Sequence, residues 1–454
     1  MTPLFTISLL LLATTAAATT AASRLCSNIT IPVQISSRQG LFKKFPILSN
    51  FETQAFSQDF TRRAHNLTQE LLEDYRTLEG DFNISARYCR PEVAASSTIQ
   101  LLTHGIGFDK TYWDLSYNNW NYSYVEVATE NGYSTLAIDR LGIGNSSHGD
   151  PLNTIQAQAE VEALNEVTTK LRNGQVPGID RIFNRVIHVG HSFGSIQSYW
   201  LSALYPNNTD GLVLTGFSPR GSFLATTVAA WNLHNAFLNQ PFRFGFQASL
   251  PYRLSLNEEN NPLRPPPPSL SYQLGLIEKA LKRDGYSFTS EQLWELVAST
   301  EIGNIVTGFN DTKAPLKYPP GYLTTSDLTA SQYVFLNPGF YDLGLAVLSE
   351  QTKQPVTTGE LLTLGGFPSF SSFAGPVFVF DGDRDQPFCG GDCYAPTGTS
   401  SENIAAESKS LFPAQGVFGA YLQPNTGHGI NFHYNATAGY HVIQRWLVEH
   451  GLRP

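Results

Sequence analysis

The sequence predicts an α/β fold: a mostly parallel sheet flanked by helices, with an inserted, mainly helical cap. Three observations carry this. Short apolar runs of strand length alternate with segments of helical spacing, the rhythm of a parallel sheet. The runs at Leu101-Leu102, Leu136-Ala137-Ile138, Val186-Ile187 and Phe378-Val379-Phe380 each lead into a glycine-containing turn, and parallel sheets bind ligands where their strands end. From about Ser218 to Pro368 the rhythm breaks into an aromatic-rich stretch with a proline run, Pro265-Pro266-Pro267-Pro268, too long for a plain loop. The expected layout is an export signal at 1–22, one core in two parts at 23–217 and 371–454, and the insertion at 218–370. The insertion reads as a cap over the strand ends, with a separate partner-binding domain as the alternative.

Taken in order, Ile29 to Ile35 alternates like an edge strand, and Phe51 to Leu78 has helical spacing through Phe56, Phe60, Leu67, Leu71, Leu72 and Tyr75. Gly80 to Cys89 alternates again. Ser97 to Thr103 and Ser134 to Ile138 read as buried strands, and Asn153 to Leu171 as a helix without breakers. Arg185 to Val189 is a strand, closed by Gly190-His191-Ser192-Phe193-Gly194 and followed by the helical stretch Ile196 to Leu201. Gly211 to Phe217 is the next strand. Inside the insertion, Tyr272 to Leu281, Ser290 to Ser299 and Gly359 to Leu364 are amphipathic. The sheet resumes at Pro376 to Phe380 and Gly416 to Leu422, and a helix from Ala438 to His450 closes the chain.

The chain of 454 residues has a formal charge of −9 and is 41% hydrophobic and 12% aromatic. That is ample for a large core. The acidic balance excludes nucleic acid as the expected partner, since Lys and Arg gather only in short groups such as Lys43-Lys44 and Arg62-Arg63. Met1 to Ala22 carries an apolar core and a small-residue tail, the pattern of a secretory signal too short to span a bilayer. No later apolar run approaches membrane length, so a secreted, soluble protein without a stable membrane anchor is expected. Glycosylation sequons at Asn28, Asn66, Asn83, Asn121, Asn145, Asn207, Asn310 and Asn435 agree with export. So do the four cysteines, an even number that an oxidising compartment would pair. The glycines of Cys389-Gly390-Gly391-Asp392-Cys393 let a tight loop close, so Cys389 is paired with Cys393 and Cys26 with Cys89. A redox pair or metal knuckle is the weaker alternative, because no second ligand pair stands nearby.

The chemistry starts at Ser192. Gly-x-Ser-x-Gly between strand and helix lifts a serine into an exposed, strained turn, but the alcohol needs a base and the base an orienting carboxylate. His428, in a glycine-flanked loop after the last strand, is placed to be the base, with His433 as the alternative. Asp385 falls between them in sequence and is the expected acid, with Asp383 as the alternative. His148 reads as a pocket-wall or surface residue and His188 as a satisfied core histidine. For the negative charge of a tetrahedral intermediate, one N–H would come from Phe193. The other would come from the loop after Leu102, from Ile106 or, failing that, Gly107.

Gly190-His191-Ser192-Phe193-Gly194, the His104-Gly105 loop, Asp139-Arg140-x-Gly-x-Gly, Gly382-Asp383-Arg384-Asp385 and Gly427-His428-Gly429 together resemble the α/β-hydrolase fold family. Ala86-Arg87-Tyr88-Cys89 and the Phe388 to Cys393 loop narrow the resemblance to secreted fungal serine hydrolases. It covers roughly residues 95–218 and 375–450 and the insertion poorly. Such enzymes are mostly esterases, lipases, lactonases and peptidases, some in specialised-metabolite pathways. Epoxide hydrolases and dehalogenases share the fold, but carry Asp at the elbow.

Asp381, Asp383, Asp385 and Asp392 fall at calcium-loop positions. That pattern wants Gly where Gln386 stands and a helix where a strand is read, so no metal and no cofactor is expected. The expected function is hydrolysis of carboxylic esters through an acyl-enzyme, on an apolar small-molecule substrate of some size, lactones and specialised-metabolite esters included. A peptidase, amidase or acyltransferase on the same residues is the alternative, and a non-catalytic binding scaffold a third reading. Acidification through the range where an imidazole protonates should lower activity. Oligomeric state is not legible.

Overall fold

The computed structural model describes residues 24–92, 96–245, 316–395, 398–414 and 416–454. The stretch read as an export signal, the proline run, the pieces at 272–281 and 290–299 read as amphipathic and the sequon at Asn310 lie outside the described residues. Eight strands form the main sheet: β1 (Arg24–Phe42), β2 (Leu72–Pro91), β3 (Thr98–Thr103), β4 (Ser134–Ile138), β5 (Arg185–His191), β6 (Gly211–Thr215), β7 (Val377–Gly382) and β8 (Phe418–Gln423). Their order is β1-β2-β4-β3-β5-β6-β7-β8, with β2 antiparallel to both neighbours and every other pairing parallel.

The edge strand is far longer than its alternating stretch. β1 pairs with β2 in one register from Arg24↔Pro91 to Leu41↔Asp74, burying Ile31, Val33 and Ile35 on one face. Cys26 stands opposite Cys89 in that ladder, and the two are disulfide-bonded. This pairing corrects the helix read over Phe51 to Leu78. Helix α1 covers Asn50–Thr61, held at its start by a capping box between Ser49 and Glu52. It stops where Arg62 turns extended and Ala64 takes a φ of 60°. A turn of helix, Leu67–Leu71, follows, and Leu72 to Leu78 then joins β2. Tyr75, 51% exposed, belongs to no buried helical stripe. An apolar spacing of four fits either period over so short a run, and the partner strand decided it.

Helix α2 (Ala157–Asn173) starts later than its apolar spacing. Asn153 and Gln156 are engaged with the end of β1, where the N–H groups of Phe42 and Gly40 donate to their side-chain oxygens at 2.7 and 3.1 Å. Helix α3 (Phe193–Leu204) leaves directly from β5. In the insertion, α4 (Leu224–Trp231), α5 (Leu328–Phe335), α6 (Leu343–Thr352) and α7 (Thr358–Thr363) accompany a small sheet that joins His234–Asn235, Tyr322–Thr324 and Val356–Thr357. Helix α8 (Ala436–Glu449) closes the chain. No helix among the described residues is long and apolar enough to cross a membrane.

Register is what builds a site. Thr103 pairs with Gly190, His191 with Thr215, Thr215 with Phe380 and Gly382 with Gln423. The turns after β3, β5, β6, β7 and β8 therefore leave the sheet at one level and on one edge.

Candidate active site

Ser192 occupies the turn between β5 and α3 with φ 55° and ψ −119°. A side chain rarely adopts that conformation, and close packing imposes it here. A Cβ on Gly194 would lie 2.1 Å from the carbonyl oxygen of Thr103, and one on Gly190 would lie 2.4 Å from that of Gly194. The Ser192 N–H donates to the Thr215 carbonyl at 2.9 Å, anchoring the elbow to the neighbouring strand.

His428 and Asp385 meet Ser192 from loops distant in sequence. His428 Nε2 lies 2.7 Å from Ser192 Oγ, and His428 Nδ1 is hydrogen-bonded to Asp385 Oδ2. Asp385 is fully buried, and its other oxygen accepts the Phe388 N–H at 2.7 Å. With both lone-pair edges engaged, the carboxylate has one orientation available. The turn that supplies Phe388 is closed by the disulfide between Cys389 and Cys393. Asp383 faces elsewhere and accepts the Thr426 N–H at 3.1 Å.

Four other histidines have structural partners. His433 is buried, with its nitrogens on main-chain groups of Gly427, Gly429 and Asn337, and burial holds its pKa down at about 4. His188 bonds the hydroxyls of Thr168 and Thr209, and burial lowers it to about 3. His148 is half-buried against Tyr318, its Nε2 at 2.9 Å from the Gly144 carbonyl. His104 Nε2 accepts the Arg140 N–H at 3.0 Å, and this fixes the turn after β3.

That turn lies against the elbow: a Cβ on Gly105 would stand 2.8 Å from the Ser192 Cβ. Neither the Ile106 nor the Phe193 N–H donates to an acceptor among the described residues. Phe193 is also the first residue of α3, at the positive end of the helix dipole. Gly107 turns through a φ of 87°, and its carbonyl accepts the Gln354 N–H from the insertion at 2.9 Å.

Four neighbours carried no usable signal in the sequence as site residues. Asp381, fully buried, has its carboxyl pushed well above the usual carboxylate range by burial and then by the nearby Asp385. The rings of His191, Phe388 and Phe335 lie 4.9, 5.6 and 5.8 Å from the His428 ring. His191 sits inside the elbow motif, and burial followed by the nearby His428 keeps its imidazole neutral by lowering its pKa well below the usual range. Phe335 comes from α5, where nothing in the local pattern distinguishes it.

Behind Phe193 lies a buried ion network. The Arg140 guanidinium stacks 4.8 Å from the Phe193 ring and bonds Glu160 at 2.6 Å and Glu360 of α7. Burial pushes the Glu160 carboxyl well above its usual range. Asp381, Cys389 and Cys393 place potential ligand atoms within 4.8 Å of one another, but a disulfide offers no thiolates.

A model of the alpha/beta hydrolase family matches residues 100–439. No curated protein sequence matches the chain. Among solved structures, a thermophilic esterase from Thermogutta terrifontis is similar at 13% identity, over 83% of this chain and 96% of that one, with a TM-score of 0.41. An alpha/beta hydrolase fold protein from Chitinophaga pinensis is similar at 14% identity, over 81% and 94%, with a TM-score of 0.40. Epoxide hydrolase A from Mycobacterium thermoresistibile is similar at 13% identity, over 81% and 95%, with a TM-score of 0.40.

Proposed function

This chain belongs to the alpha/beta hydrolase family, and from that premise we propose that it is a secreted serine hydrolase cleaving carboxylic esters through an acyl-enzyme. The observation that carries the reading is the unbroken chain of contacts from Ser192 Oγ through His428 to Asp385. His428 Nε2 takes the hydroxyl proton as Ser192 Oγ attacks the ester carbonyl. The oxyanion that forms is met by the N–H groups of Phe193 and Ile106. Asp385 keeps the other ring proton on Nδ1 and stabilises the imidazolium while it lasts. Collapse expels the alcohol, protonated by His428. Water then attacks acyl-Ser192 by the same proton path, releasing the acid and the free serine.

Two features favour esters over the other chemistries of the fold. Epoxide opening by covalent catalysis uses a carboxylate at the elbow, and this elbow carries Ser192. An amide, moreover, demands firmer protonation of a poorer leaving group than an ester does. The aromatic rings of Phe335 and Phe388 beside His428 fit an apolar substrate. Export is supported by both disulfides, which persist in oxidising compartments.

A fluorophosphonate probe should label the purified protein at Ser192, and Ser192→Ala should abolish labelling and lower turnover on the order of 10⁶-fold. A wild-type protein that stays unlabelled and turns over no aryl ester would end this reading and favour a binding scaffold. Faster turnover of aminoacyl anilides than of aryl esters would transfer it to the peptidases.

A further inference from the structure

Resting on the serine-hydrolase reading, we propose that His433 is a positioning residue that ties the turn bearing His428 to the insertion. The base is thereby held in line with Ser192 by contacts from both sides of the sequence. His433 Nε2 accepts two main-chain N–H groups, from Gly427 at 3.0 Å and from Asn337 at 2.9 Å. Nδ1 donates to the Gly429 carbonyl at 3.0 Å. Gly427 and Gly429 are the immediate neighbours of His428. Asn337 follows α5, whose last residue, Phe335, lays its ring over His428 and accepts the Gly429 N–H at 2.7 Å. The pairing continues with the Tyr434 N–H donating to the Phe340 carbonyl at 3.0 Å. One imidazole thus brackets the base and binds the bracket to residues 335–341.

The chemistry of the ring explains why a histidine stands there. Two N–H groups converge on one nitrogen lone pair while the second nitrogen donates, and this needs the neutral Nδ1–H tautomer. Burial keeps the ring neutral, with its pKa at about 4. No space is left for the turn to drift: a Cβ on Gly427 would lie 2.9 Å from the Phe335 carbonyl oxygen, and one on Gly429 2.9 Å from the Phe432 ring. His188, equally buried, differs in that its partners are the hydroxyls of Thr168 and Thr209, neither of them bonded to Ser192, His428 or Asp385. His433 instead holds three main-chain groups that decide where the base sits.

Two substitutions separate acceptor from donor. His433→Gln keeps an oxygen acceptor near the Nε2 position, whereas His433→Asn keeps a donor near Nδ1 and loses that acceptor. The Asn variant is expected to lose kcat on the order of a hundredfold, the scale of a misplaced catalytic group, with KM little changed. Labelling of Ser192 by fluorophosphonate should slow in proportion. The Gln variant should stay within about tenfold of wild type. Hydrogen exchange, which needs no activity, should show segments 335–341 and 426–434 losing protection together in the Asn variant and keeping it in the Gln variant. Wild-type kcat in the Asn variant, or lost protection confined to 426–434, would overturn the proposal. Should the Asn variant not fold, exchange in the wild type decides: the Gly427 and Asn337 amides should open together, and protection differing by more than about tenfold would break the tie. A wild type that no probe labels would remove the serine-hydrolase reading, while the exchange measurements would still decide the tie.

Discussion

Ser192 holds a backbone conformation that costs a residue with a side chain about 1–3 kcal/mol, and its neighbours impose it. Ser192→Gly should therefore unfold at higher denaturant, with a net gain of about 1 kcal/mol after glycine's own entropy cost. Ser192→Ala, which keeps Cβ, should show no such gain. At the other end of the chain of contacts, Asp385→Asn places an amide where the carboxylate accepts a hydrogen bond from the His428 ring. That favours the wrong tautomer, and kcat should drop on the order of 10⁴-fold while thermal stability changes little. A decrease of less than tenfold would move the orienting role to another carboxyl. Residue types and spacing singled out Ser192, Asp385 and His428, and the structure brings the three together. Asp383 and Asp385 share a face in any extended reading, and only the bend that lets Asp385 accept the Phe388 N–H separated them.

At the scale of elements, the sheet was legible because buried parallel strands are continuous apolar runs with glycine at their ends. The boundaries it blurred are those set by distant partners. Asn153 and Gln156 have the helical pattern yet bond β1, and Leu72 to Leu78 has an apolar spacing of four yet pairs as a strand. The insertion is joined to the core by charge as well as by aromatic contact. Arg140, leaving β4, meets Glu160 of α2 and Glu360 of α7 directly behind Phe193. Replacing Arg140 with Met leaves two buried carboxyls without their cation, and unfolding free energy should fall by about 3–5 kcal/mol. Equilibrium denaturation measures it, and a change under about 1 kcal/mol would mean that the carboxyls carry no charge there.

Across the whole molecule, burial makes the histidines a source of acid sensitivity. His433 and His188 have folded pKa values near 4 and 3, below the usual 6.5. Each prefers to be neutral in the fold, so the stability it contributes is complete above about pH 6.5 and is lost as pH falls toward the folded value. Buried carboxyls such as Glu160 and Asp381 are shifted upward and act in the opposite sense, so single variants are the clean comparison. Between about pH 4.5 and 6, His188→Asn should flatten the slope of unfolding free energy by one proton, about 1.4 kcal/mol per pH unit. Unfolding curves across that range test this, and an unchanged slope would mean that His188 already titrates alike in both states.

By itself the sequence determined the alternation of strand and helix, the elbow around Ser192 and the chemical types of its partners, because these are local patterns of period, glycine and turn. Tertiary structure alone decided which carboxyl faces His428, where the long β1–β2 ribbon begins, and that Phe335, His191, Asp381 and His433 surround the base. Those contacts join residues whose own neighbourhoods say nothing of each other. They arise when parallel register brings five strand ends to one level and the insertion packs against the turns that leave them.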